Sequence, residues 1–194
     1  SELIPEVIFQ AVQSQGFRPT GVLYPLNSYE NRVYEIHVEE KPPLIAKFYR
    51  PGRWTEAAIA EEHAFIRACN EAEVPVVGPM ELTQSISTCS TLSKIDNMLY
   101  VFYAKFRGKE HDETTNDDRR WLGRTLARLH NVGEHFKSKH RLTLNPQTYG
   151  TNSLQFILTQ AFLPLDLKNN LETLLLNAIK LTEPFFAKDL KTIT

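Results

Sequence analysis

Lys47 lies inside an apolar run, Leu44-Ile45-Ala46-Lys47-Phe48-Tyr49. A cation in a buried strand is costly unless an acid or an anionic ligand neutralises it. Such a lysine can hold the phosphates of a nucleotide when a carboxylate from a neighbouring element orients it. The sequence offers Glu61 and Glu62. Ile59, Ile66 and Cys69 recur at helical spacing, and Glu62 falls within that stripe, between Ile59 and Ile66. Glu61 leans toward the Ala58/Phe65 edge and is the second candidate. The same residues also fit a plainer reading, a surface strand lysine beside a solvated Glu-Glu pair.

The elements around these residues follow from periodicity. Ile4, Val7, Ile8, Ala11 and Val12 mark a first helix, opened by Pro5 and closed before Gly16. Val22-Leu23-Tyr24 leads into a polar stretch, Asn27 to Arg32. Tyr34, Ile36 and Val38 alternate with Glu35 and His37 as in a half-buried strand. With the turn at 39–43, residues 33–49 read as a hairpin. Thr55 can cap a helix running to Asn70. Two strands fall within 80–103, the second being Met98 to Tyr103. Beyond Gly108 and a charged stretch at 109–120 the chain reads as helical. Helices are expected at 121–132 (stopped by Gly133), at 152–162 and at 167–182. Residues 191–194 read as the start of a strand.

Composition narrows the function classes. Of 194 residues, 22 are basic and 23 acidic, giving a net charge of −1. That balance gives no global attraction for nucleic acid or anionic lipid, so neither is expected as a partner. No apolar run is long enough to span a bilayer as a helix. Cys69 and Cys89 form no Cys-x-x-Cys pair and read as reduced thiols, which points to the cytoplasm. Arg119, Arg120, Arg124 and Arg128 neighbour Asp117 and Asp118, a salt-bridged face rather than a nucleic-acid stripe. His130, His135 and His140 recur every five residues, the wrong spacing for a metal on one helix face.

Two blocks carry a family resemblance. Leu26-Asn27-Ser28-Tyr29-Glu30-Asn31-Arg32-Val33-Tyr34 and Lys47-Phe48-Tyr49-Arg50-Pro51-Gly52-Arg53-Trp54 resemble the bacterial stress response kinase A family. That family belongs to the aminoglycoside phosphotransferase and choline kinase group. Glu61-Glu62-His63, Val74-Pro75-Val76 and Leu122-Gly123-Arg124 with Leu126-Ala127-Arg128-Leu129-His130 match further family positions. The resemblance implies an α+β, protein kinase-like fold. Residues 1–105 would be a nucleotide-binding N-lobe, an antiparallel sheet with one core helix, and 106–194 the front of a helical C-lobe. It implies transfer of the ATP γ-phosphate to a protein Ser/Thr hydroxyl. Lys47 would hold phosphates and Glu62 would hold Lys47. The 27–32 turn, with Ser28, Tyr29 and Asn31, would cover the nucleotide. Residues 102–105, including Phe102, Tyr103 and Lys105, would form the hinge that meets adenine.

Departures from the family pattern matter equally. No glycine falls between Gly21 and Gly52, so the Gly-x-Gly-x-x-Gly loop of eukaryotic protein kinases is absent. The family's His-Gly-Asp-x-His-x-x-Asn block and later Asp-x-Asp are also absent. His140-Arg141-Leu142 has leucine where aspartate is required, and Lys188-Asp189-Leu190-Lys191 is followed by Thr194 where asparagine belongs. The chain therefore reads as cut before its catalytic loop and is expected to be inactive alone, with Mg2+ binding expected only of a full-length protein. A small-molecule kinase of the same group, acting on an alcohol or aminoglycoside, and a non-catalytic binding module are the other readings. Helices 121–132 and 167–182 should expose apolar faces, and self-association would follow.

Overall fold

The computed structural model describes residues 3–108, 114–160 and 163–186. The strand expected at 191–194, residues 109–113 of the charged stretch and the last two residues of the helix expected at 152–162 lie outside them. Two compact units result, Ser1–His140 and Arg141–Thr194.

The first unit is built on a five-stranded antiparallel sheet, ordered β1-β2-β3-β5-β4. Its strands are β1 (Pro19–Leu26), β2 (Arg32–Val38), β3 (Leu44–Phe48), β4 (Ser93–Ile95) and β5 (Met98–Ala104). The β2-β3 hairpin lies where alternation places it, with Val33 opposite Lys47 and Ile45 opposite Glu35. β1 extends further than Val22-Leu23-Tyr24. Gly21 (φ +89) and Pro25 blur its alternation, and β2 supplies the pairing.

Strand side chains alternate between two faces. One face carries Ile36, Val38, Leu44, Ala46, Phe48, Met98, Tyr100 and Phe102, all buried beneath helix α1 (Pro5–Ser14) through Ile8, Ala11 and Val12. The other face meets helix α2 (Glu56–Glu71). There Ile59 packs with Tyr49, Cys89, Leu92 and Val101. Thr55 caps α2, its hydroxyl accepting the Ala58 N–H at 3.2 Å. Cys69 and Cys89 are free thiols, both buried.

Helix α3 (Asn116–His135) starts earlier and ends later than the expected 121–132. A capping box explains the start: Thr115 and Asp118 each satisfy the other's backbone N–H. Asp117 and Asp118 also favour the positive end of the helix dipole. Gly133 does not stop the helix. It is buried within the last turn, and the chain leaves helical geometry only at Phe136.

Within the first compact unit, α3 packs on α2. Phe65 and Phe136 meet edge to face at 5.2 Å. Arg128 donates to the carbonyls of Ala72 and Glu73 at 3.2 and 2.6 Å, covering the end of α2.

The second unit holds a π-helical turn (Pro146–Thr151), α4 (Asn152–Thr159) and α5 (Leu165–Phe186). α5 outruns the expected 167–182 and contains Pro184 in its last turn. Among the described residues, no helix is long and apolar enough to cross a membrane.

Candidate active site

β3 delivers Lys47 to the α2 side of the sheet, since its neighbours Ala46 and Phe48 fill the α1 side. α2 delivers Glu62 one turn after Ile59. Lys47 Nζ donates to Glu62 Oε1 at 2.7 Å, with the two side chains 20% and 23% exposed. The pair is thus partly screened from water. Glu62, not Glu61, meets the lysine.

Glu61 has a different task. Its carboxylate accepts from the Ser138 hydroxyl and from the Lys139 and His140 N–H groups at 2.7 and 2.9 Å. Burial pushes its pKa up, but these three bonds outweigh it and hold the carboxyl at about 2. Glu61 therefore ties α2 to the segment that follows α3.

Tyr49, two residues beyond Lys47, shares its face. Its ring lies 4.4 Å from the ammonium, a cation–π distance. Its hydroxyl donates to Glu62 Oε1 at 3.2 Å and meets His63 Nε2 at 3.1 Å. Burial, then the charge of Glu62, pushes the Tyr49 phenol far above its usual range. Burial and Glu62 likewise push Tyr103 up to about 12. His63 is 1% exposed, and its Nδ1 lies 2.7 Å from Thr91 Oγ1. Burial lowers its pKa to about 4, so the ring is neutral at pH 7. Tyr49 and His63 were missed in the sequence. The available signal was position, Tyr49 at a two-residue strand interval from Lys47 and His63 one helical turn from Ile59.

The remaining candidate residues divide into groups. Ser28, Tyr29 and Asn31 stand together in the turn between β1 and β2, lining a pocket of ≈ 490 Å³ with Arg32 and Arg50; Lys47 does not line it. Glu30 pins this turn by accepting from Trp54 Nε1 and from Arg53 Nε at 3.2 Å. Among the described residues, Asn31 Oδ1 is buried without a hydrogen-bond partner. Tyr103 lies on the Lys47 face, opposite Ile45. Phe102 does not: its side chain is in the α1 core, and its carbonyl accepts the Met80 N–H at 2.8 Å. Lys105 reaches back to Glu35 at 2.7 Å and is chiefly what lowers that carboxyl's pKa.

Among the described residues, the β1 part of the Lys47 face is exposed. Tyr24 pairs with Glu35 and Leu26 with Val33, so both lie on this face, and they remain 54% and 39% exposed. Between these two residues and β3 the same face carries Val33, opposite Lys47, and Glu35, opposite Ile45 and paired with Lys105.

The chain belongs to the phosphotransferase enzyme family, whose sequence profile matches residues 23–178. It is 34% identical over 147 residues to stress response kinase A of Escherichia coli (strain K12), covering 76% of this chain and 43% of that one. It is 37% identical over 131 residues to the serine/threonine protein kinase RdoA of Salmonella typhimurium, covering 68% and 38%. The chain thus spans about two fifths of the length of these relatives. Among solved structures it resembles an amicoumacin kinase in complex with AMP-PNP and Ca2+ (TM-score 0.69, 18% identity, 96% of this chain and 55% of that one). It also resembles a microcompartment-associated aminopropanol kinase (TM-score 0.60, 19% identity, 79% and 54%). These neighbours establish the protein kinase-like fold.

Proposed function

We propose that this chain is the nucleotide-binding part of an ATP-dependent phosphotransferase whose acceptor is a protein Ser/Thr hydroxyl. The Lys47–Glu62 pair carries the reading. A lysine fixed at 2.7 Å by a carboxylate, on a half-buried sheet face, is oriented to take α- and β-phosphate oxygens. Tyr24 and Leu26 offer adenine an apolar surface. The turn holding Ser28, Tyr29 and Asn31 stands at the end of the sheet where Arg32 pairs with Phe48, next to Lys47. Its N–H groups and the unpartnered Asn31 Oδ1 suit a polar ligand.

Tyr103 and Lys105 stay in the proposal as hinge residues. Phe102 contributes through the core, because its backbone acceptor is already engaged by Met80. The identity of 34–37% to stress response kinases, against 18–19% to the aminopropanol and amicoumacin kinases, favours a protein acceptor over a small molecule. ATP supplies the phosphoryl group, and Mg2+ would neutralise its charge during transfer. The 194 residues contain no His-Gly-Asp-x-His-x-x-Asn block, and this reading assigns them nucleotide binding rather than γ-phosphate transfer.

An acyl-phosphate derivative of ATP, which places an electrophile beside the phosphates, tests this reading. The account predicts acylation concentrated on Lys47 and suppressed by free ATP. Labelling spread over surface lysines and indifferent to ATP would refute it.

A further inference from the structure

The hydrogen bonds behind Lys47 run in one direction only. A carboxylate paired with an ammonium accepts and does not donate. The single Tyr49 hydroxyl proton therefore goes to Glu62 Oε1, 3.2 Å away. The Tyr49 oxygen is left to accept at its contact with His63 Nε2, 3.1 Å away, so Nε2 must carry the proton. A neutral imidazole has one N–H, which leaves Nδ1 bare. Nδ1 then accepts from Thr91 Oγ1 at 2.7 Å. Thr91 in turn accepts from the Cys89 thiol at 3.3 Å. Each donor is used once, from Cys89 through Thr91, His63 and Tyr49 to Glu62 Oε1, the oxygen that Lys47 also meets.

We propose that His63, as its Nε2–H tautomer, is a positioning residue for the Lys47–Glu62 pair, acting through the Tyr49 hydroxyl. This rests on the nucleotide reading only for its consequence in binding. The glutamate side chain turns about several bonds, and Glu62 borders water. The contact of Oε1 with Lys47 does not by itself fix those bonds, and the ammonium moves with the carboxylate. The Tyr49 hydroxyl removes this freedom, while the ring of the same residue braces the ammonium at 4.4 Å. His63 fixes the direction of that hydroxyl, because its other nitrogen is committed to Thr91. Burial of Tyr49 and His63 keeps water from replacing either bond.

Two measurements on the 194-residue chain test this without requiring turnover. Long-range 1H–15N spectra report the His63 tautomer. The account predicts Nε2–H between pH 5.5 and 8, values set roughly by the ordinary and depressed imidazole range. An Nδ1–H signature would overturn it. The second measurement is the rate at which a small amine-acylating reagent modifies Lys47, read by mass spectrometry against Lys41 and Lys94. Tyr49→Phe and His63→Asn should raise the Lys47 rate about threefold or more, as loss of a charge-assisted hydrogen bond implies. His63→Gln, whose amide nitrogen falls near the place of Nε2, should stay close to wild type. A Lys47 rate unchanged in Tyr49→Phe and His63→Asn, or equal in His63→Asn and His63→Gln, would overturn the proposal. So would a parallel rise at all three lysines, which marks general loosening. Protection of wild-type Lys47 by MgATP separates the two readings. Without protection the nucleotide reading fails, and the relay is still decided by the variants.

Discussion

Lys47 and Glu62 could be paired in the sequence because two independent periodicities converge on them. Strand alternation puts Lys47 on the face away from α1, and the Ile59/Ile66 stripe turns Glu62 toward the sheet. The reach of Glu61 to residues 138–140 was not legible, because its partners lie far along the chain and include two backbone N–H groups that no side-chain pattern encodes. The roles of Tyr49 and His63 were hidden for a related reason. Their polar ends gain meaning only when α2 docks on β3. His63 makes stability depend on pH. The unfolded chain protonates it near pH 6.5 and the folded chain only near 4. Across that window the unfolded state binds more protons, so stability rises with pH and is lost as pH falls from 6.5 to 4. The loss should be on the order of 3 kcal/mol. Glu61 acts lower down. Its folded pKa is depressed from 4.5 to about 2, so its contribution disappears as pH falls through that range. Urea titrations at stepped pH check both. His63→Gln should flatten the upper window and leave the lower one, and an unchanged upper slope would count against the buried neutral imidazole.

At the scale of elements, the β2-β3 hairpin, α2 and the β4-β5 pair were legible because alternation and capping signals agree within each. β1 was not, since Gly21 and Pro25 interrupt its pattern and pairing with β2 decides its extent. The start of α3 was masked by a polar first turn whose meaning is the capping box, Thr115 with Asp118. The end was misread because glycine can sit in a helix when no positive φ is required, as Gly133 does. These caps predict modest, separable costs. Thr55→Ala removes the bond to the Ala58 N–H at the start of α2 and should cost about 1 kcal/mol. Because α2 carries Glu62, it should also loosen the Lys47 contact. Thr115→Ala should cost a similar amount, roughly 1 kcal/mol, without changing Lys47 reactivity. Denaturation midpoints combined with lysine modification rates distinguish the two variants, and an equal effect on Lys47 would argue against α2 as the positioning element.

Across the whole molecule, charge is nearly balanced and apolar surface is conspicuous. Trp121, Leu122 and Leu126 of α3 are exposed, with Trp121 at 60%. Leu167, Leu174 and Leu181 of α5 are exposed as well. Apolar faces of this kind favour association when net charge is only −1. Static light scattering should therefore give a mass above 22.3 kDa at high concentration. Leu126→Glu should lower it, and a monomer mass at every concentration would contradict the expectation. The central claim, however, is that Lys47, held by Glu62, receives the phosphates of ATP. Calorimetric titration of MgATP into the wild-type chain, Lys47→Met and Glu62→Gln tests it most directly. The account predicts saturable binding that weakens about tenfold or more in Lys47→Met, the loss of a charged hydrogen bond, with Glu62→Gln between the two. Wild-type affinity retained in Lys47→Met would contradict it.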